Sequence, residues 1–191
     1  MSSTLDLAVI VGSLRAGSLN RQLANALIGL APASLAPRIV EIGDLPLYNT
    51  DLDTDTPPAA WARFRAEVKP ANAVLFVTPE YNRSVPGALK NAIDVGSRPY
   101  GQSVWSGKPA AIVTSSPGAI SGFGANHHLR QSLVFLDMPT LQQPEAYIAH
   151  VDKLLGPGGP HGGAINNDGT RNFLTALMAA FAGFATRNQR T

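Results

Sequence analysis

Apolar residues follow two periods along this chain. Nearly unbroken apolar runs rich in β-branched residues occupy 7–11, 73–77 and 109–114, and 38–42, with Ile39, Val40 and Ile42, reads as a short second strand. Runs apolar at almost every position are how parallel strands buried on both faces read. Between them the period lengthens to that of a helix. Leu23, Ala24, Leu27 and Leu30 recur at helical spacing from 20 to about 30, just before Pro32. Trp61, Phe64 and Val68 share a face over 59–68, behind Pro58, a residue suited to a first helical turn. Further helices are expected at 87–95, at 125–135 and from 170 to about 187, the last striped by Phe173, Leu174, Leu177, Phe181 and Phe184. A last strand is expected to begin at 140–143.

Three stretches read as loops: 43–58, 96–108 and the Gly/Pro-rich 156–163, which is expected to be mobile. Asp51, Asp53 and Asp55 in the first lack the glycine and closing glutamate of a calcium loop, so they are expected to be solvated. Trp61, Trp105 and Tyr100 are expected in the core or at an interface.

Strands alternating with helices from end to end predict an α/β fold, an open parallel sheet with right-handed crossovers. At 191 residues, 1–191 is expected to form one domain. In such sheets a ligand sits beyond the carboxyl ends of the strands, at the switch point. Three polar loops follow strands here, 12–20, 78–84 and 115–124.

The first loop pairs Ser13, Ser18 and Arg15 with Gly12 and Gly17, and a helix starts directly after it. A strand, a hydroxyl-rich turn and a helix amino terminus together form an anion cradle. Leu14 and Arg15 stand where a dinucleotide fingerprint needs glycines, and no Gly-Lys-Ser/Thr follows. The loop therefore suits a terminal phosphate monoester. An ordinary βα turn with Ser18 as helix cap is the plainer reading. In the second loop Pro79, Glu80, Tyr81 and Asn82 offer backbone groups, an amide and a ring, which suits a flat heterocycle such as an isoalloxazine; a solvated turn is the alternative.

Composition narrows the partners. Hydrophobic residues make up 45% and charged residues 15%, which marks a globular chain and hints at subunit burial. A net charge of +2 without a Lys/Arg run argues against nucleic acid. The absence of cysteine excludes disulfides and thiolate catalysis. No basic leader precedes an apolar core and no apolar run approaches a membrane span, so no membrane segment and a cytoplasmic location are expected. His127 and His128 are neighbours that point to different sides of a helix, and no metal site is expected from them or from His150 and His161.

Gly12-Ser-Leu-Arg-x-Gly-Ser-x-Asn20, then Thr78-Pro-Glu-Tyr-Asn-x-Ser-Val-Pro-Gly-x-Leu-Lys-Asn-Ala-Ile-Asp94, then Gly107-Lys-Pro109, resembles the NADPH-dependent FMN reductase family, in its bacterial quinone and chromate reductase branch. The likeness runs in order to about Glu145. It implies a flavodoxin-like fold with strand order 2-1-3-4-5 and a homodimer or dimer of dimers, with the helix at 87–94 near the interface. It implies non-covalent FMN, its phosphate held by the loop of Ser13, Arg15, Ser18, Leu19 and Asn20. Pro79, Glu80, Tyr81 and Asn82 would line the ring, and Ser115, Ser116 and Gly118 would close the other side. NADPH or NADH would deliver hydride to FMN N5, and no catalytic side chain is expected. Small-molecule acceptors would follow: quinones, flavins, azo compounds or chromate-type oxyanions. Arg83 departs from the aromatic frequent in relatives; it either attracts anionic acceptors or faces solvent. Trp105 is a candidate to cover the flavin from a neighbouring subunit. Two rival readings are a flavodoxin-like electron carrier without NAD(P)H activity, and a flavin-free nucleotide binder in which Glu41 meets a ribose.

Overall fold

The computed structural model describes residues 4–156 and 163–189. Most of the Gly/Pro stretch at 156–163, expected to be mobile, lies outside the described residues. Five parallel strands form the central sheet: β1 (Leu5–Val11), β2 (Leu35–Val40), β3 (Ala73–Thr78), β4 (Ala110–Ser116) and β5 (Ala146–Ala149). Their order is β2-β1-β3-β4-β5, as the family resemblance implies. Every pairing among them is parallel, so all carboxyl ends lie at one edge.

The strands are apolar throughout because both faces are covered. Leu7, Val9 and Val11 of β1, with Leu75 and Val77 of β3, face a core closed by α1 (Leu19–Gly29) and α6 (Asp168–Arg187). Ala8 and Ile10, with Val74 and Phe76, face a second core under α2 (Ala59–Val68), α3 (Gly87–Gly96) and α4 (Phe123–Phe135). Each fully buried large side chain here contributes roughly 1.5–3 kcal/mol. The helices at 59–68, 87–95, 125–135 and 170–187 expected from periodicity are all present, with starts shifted by at most two residues.

Four expectations are corrected. The second strand is Leu35–Val40, not 38–42; Pro37 interrupts its apolar pattern, yet β2 is an edge strand that tolerates a proline. The last strand begins at Ala146, and Thr140 makes only an isolated bridge to Ala110. Trp105 covers no neighbour's ligand: it is fully buried, its ring centroid lies 5.9 Å from that of Phe64, and its Nε1 donates to Ile93 O at 3.0 Å. Gly96 makes that packing possible, since a Cβ there would come within 2.6 Å of the indole. Asp53 is not solvated: its side chain is 3% exposed and accepts 2.8 Å bonds from both terminal nitrogens of Arg65. After β5 come α5 (Val151–Leu154) and an antiparallel pair, β6 (Leu155–Gly156) and β7 (Ala164–Ile165), none of which the periodicity announced.

Candidate functional site

Because the sheet is parallel, the loops after β1, β3 and β4 gather at its carboxyl edge. The first is drawn in by Gly12, whose N–H donates to Val77 O at 2.9 Å and where a Cβ would strike the Thr78 side chain. The loop closes through Ser18 N–H on Arg15 O at 3.1 Å, and Ser18 Oγ caps α1 by accepting from Arg21 N at 3.1 Å. Both expected roles of Ser18, helix cap and cradle member, fall on one residue. Ser13, Ser18 and Asn20 are buried polar side chains, whereas Arg15 is exposed. Among the described residues Arg15 has no ion-pair partner, and the first turn of α1 carries no acid. A helix start leaves N–H groups unpaired and positive, so this donor set fits a phosphate. Leu19 is partly buried against the first core and anchors the loop from below.

Asn20 also ties the first loop to the third, because Ser115 Oγ donates to Asn20 Oδ1 at 3.0 Å. Ser115 is fully buried; Ser116 Oγ accepts from Gly118 N at 2.9 Å and bends the chain at the edge. An amide is no general base, so the pair does not make Ser115 a nucleophile.

The second loop is a tight turn. Tyr81 and Ser84 exchange backbone bonds of 2.9 Å, and Asn82 and Arg83 both take positive φ, 49° and 64°. That is the geometry of a type I′ turn. Pro79 and Glu80 are half-buried, and Tyr81, Asn82 and Arg83 are exposed. Two bonds clamp this turn to α4. Glu80 Oε2 accepts from Ala125 N at 3.1 Å, and Ser84 Oγ lies 2.8 Å from His128 Nδ1. Gly124 allows the close approach, since a Cβ there would stand 2.9 Å from both Glu80 Oε2 and Arg83 O. Glu80 Oε1 meets Arg83 Nη1 at 3.3 Å, so Arg83 is both solvent-facing and paired.

Sequence reasoning brought forward the three loops but not the groups that join them. His128 and Gly124 were not singled out as site residues; a glycine two positions into a helix was the one available signal. Nearby, Phe123, His127 and Tyr147 form a ring cluster, with Tyr147 Oη 3.2 Å from His127 Nε2. Burial and then the Glu145 carboxylate push the Tyr147 phenol up to about 12. Asn126 is fully buried; its Oδ1 accepts from Arg130 and its Nδ2 has no partner among the described residues. No group of three or more His, Cys, Asp or Glu that could hold a metal occurs among the described residues. The edge is thus an anion cradle beside a polar turn, and the Ser–His pair at this edge, Ser84 with His128, joins that turn to α4.

Comparison with known proteins gives a consistent set of relatives. The model of the NADPH-dependent FMN reductase family matches residues 5–153, a span that includes all three loops. A quinone reductase of Pseudomonas putida is 61% identical over 189 residues, 99% of each chain. A quinone reductase of Escherichia coli K12 is 40% identical over 189 residues, 98% of each chain. Among solved structures, FerB of Paracoccus denitrificans, a flavoenzyme NAD(P)H:acceptor oxidoreductase, superposes with a TM-score of 0.88 at 40% identity, covering 97% of this chain and all of its own.

Proposed function

Because this chain belongs to the NADPH-dependent FMN reductase family, we propose that it is an FMN-dependent NAD(P)H oxidoreductase whose principal acceptors are quinones, and that the three loops at the carboxyl edge are its flavin site. Bound FMN supplies the redox chemistry, taking hydride from NAD(P)H and passing two electrons to the acceptor. The chain's own residues bind and orient. Ser13, Arg15, Ser18 and Asn20, with the first N–H groups of α1, hold the phosphate. Pro79, Tyr81 and Asn82 line the ring, Glu80 holds their turn against α4, and Ser115, Ser116 and Gly118 close the opposite side. Arg83, at the exposed rim, meets anionic acceptors. Flavins, azo compounds and chromate-type oxyanions are further acceptors for an open slot of this kind.

The observation that carries this reading is the acid-free start of α1 behind Ser13, Arg15 and Ser18, within the family-matched span. Residues 1–191 act as one FMN-binding domain, and two copies associate through the α3–α4 side, as a dimer or dimer of dimers. No helix among the described residues is long and apolar enough to cross a membrane. A reductase that draws on NAD(P)H works where that donor is supplied, so the cytoplasm is its proposed compartment.

The test is the visible spectrum of the purified protein, before and after NADPH or NADH is added without oxygen. Flavin bands that bleach and return on adding a quinone are expected. Flavin that neither dinucleotide bleaches would instead identify an electron carrier, and failure to bind added FMN would sink the site assignment.

A further inference from the structure

The sheet order puts β2 on the opposite side of β1 from β3. The edge beyond β1 and β2 is therefore distinct from the loops after β3 and β4. A cleft of about 670 Å³ opens there, and no residue of 78–84 or 115–124 lines it. That volume lies within the range of small-molecule sites. Buried Val11, Val40 and Ile42 line it from the strand ends, and Leu14, 55% exposed, adds an apolar wall. Its polar lining includes Arg15, Arg21 and Glu41.

Glu41 directly follows β2, the region where nucleotide-binding α/β folds place an acid against a ribose. Here that carboxylate is engaged: Arg21 Nη1 donates to Oε2 at 2.9 Å and Nη2 donates to Oε1. The pairing holds the Glu41 carboxyl below its usual range. Yet the side chains are 39% and 58% exposed. An ion pair so exposed is weak, and a phosphate with nearly two charges and three acceptor oxygens competes well for a guanidinium. Arg63 Nη2 donates to Glu41 O at 3.0 Å and to Asp44 Oδ1 at 2.8 Å, which braces the Glu41 backbone independently of Arg21. Ser13 and Arg15, both members of the phosphate cradle, also line this cleft, so the two sites share the loop after β1.

We propose that this cleft receives the adenosine end of the nicotinamide dinucleotide donor, and that Arg21 exchanges Glu41 for the 2′-phosphate that distinguishes NADPH from NADH. Exposed Leu14 packs against the adenosine, and Glu41 keeps the guanidinium at the rim until the phosphate arrives. With NADH no phosphate competes, and Arg21 stays with Glu41. The assignment rests on the NAD(P)H reading above.

The test titrates the FMN-loaded protein with 2′,5′-ADP and with 5′-AMP by calorimetry, in the natural chain and in R21A, R21K and E41Q. One charge-assisted bond to phosphate predicts 2′,5′-ADP binding about tenfold tighter than 5′-AMP, with the difference lost in R21A and partly kept in R21K. E41Q, which releases the guanidinium from its carboxylate, is expected to tighten 2′,5′-ADP. In steady state the ratio of KM for NADPH to KM for NADH should rise about tenfold in R21A. Equal binding of the two nucleotides by the natural chain, or a preference that survives R21A, overturns the proposal. Neither result touches the donor reading, which fails only if neither dinucleotide reduces the flavin.

Discussion

Glu80 is one residue whose neighbours add to its expected role. Its position in the run after β3 suggested a ring-lining group, and a carboxylate in a site also invites the role of base. Its oxygens engage Ala125 N and Arg83. A carboxylate at the start of a helix is favoured by the helix dipole, so Glu80 caps α4 from another loop. Loss of such a cap costs about 1 kcal/mol. E80A should therefore lower the melting temperature and weaken FMN binding about tenfold as the turn loosens. E80Q keeps an acceptor for Ala125 N and should stay close to the natural protein in both. Fluorescence titration of FMN into apoprotein checks this; natural FMN affinity in E80A would rule out the positioning role. The partner lies 45 residues away in sequence, so the direction of this carboxylate was not legible locally.

Among the elements, β1, β3, β4 and the five long helices followed from hydrophobic period; the bounds of β2, the place of β5, the short α5, β6 and β7, and the anchoring of the 43–58 loop did not. That loop is anchored by Asp53, gripped by Arg65 of α2, with Tyr48 Oη 3.2 Å from its carboxylate. Trp61 Nε1 donates to Pro46 O at 2.9 Å. Arg65 holds the Asp53 carboxyl below its ordinary value. A carboxyl whose folded value is depressed stabilises the fold at neutral pH and loses that contribution as pH falls through the folded value, below about 4. D53N removes the charge partner of Arg65, which keeps its bond to Val95 O, and should cost about 3 kcal/mol at pH 7. Denaturant unfolding at pH 7 and at pH 3 should show a smaller acid-induced loss for D53N than for the natural chain. Equal losses would mean that Asp53 does not contribute to acid sensitivity.

For the whole molecule, the low charged fraction pointed to a buried subunit face, and exposed apolar residues on α4 are the candidates for it. Phe135 and Val134 on α4 are 81% and 78% exposed. Phe135 falls on the same helical face as His128, Gln131 and Ser132, which line a groove against Ser84, Val85 and Lys90. Isolated exposed apolar residues are ordinary; two side by side next to a groove are the surface proposed above for association of two copies. Sedimentation should give a mass two or four times the 20.1 kDa chain. Replacing Val134 and Phe135 together by lysine should shift the protein toward monomer while its FMN spectrum persists. A natural chain that sediments at the single-chain mass would remove the expectation.

What the sequence by itself determined was whatever neighbours along the chain dictate. Unbroken apolar runs required buried parallel strands, and Gly12 with Ser18 required a tight turn into a helix. The run from Thr78 to Asp94 carried enough specific residues to identify the family. What only the tertiary structure decided were contacts between residues far apart in the chain. Ser115 with Asn20, Glu80 with Ala125, Asp53 with Arg65 and Arg21 with Glu41 are polar pairs whose separations follow no period. A hydrogen bond or ion pair depends on distance and burial in space, and those exist only once the sheet has set β2, β1, β3 and β4 side by side.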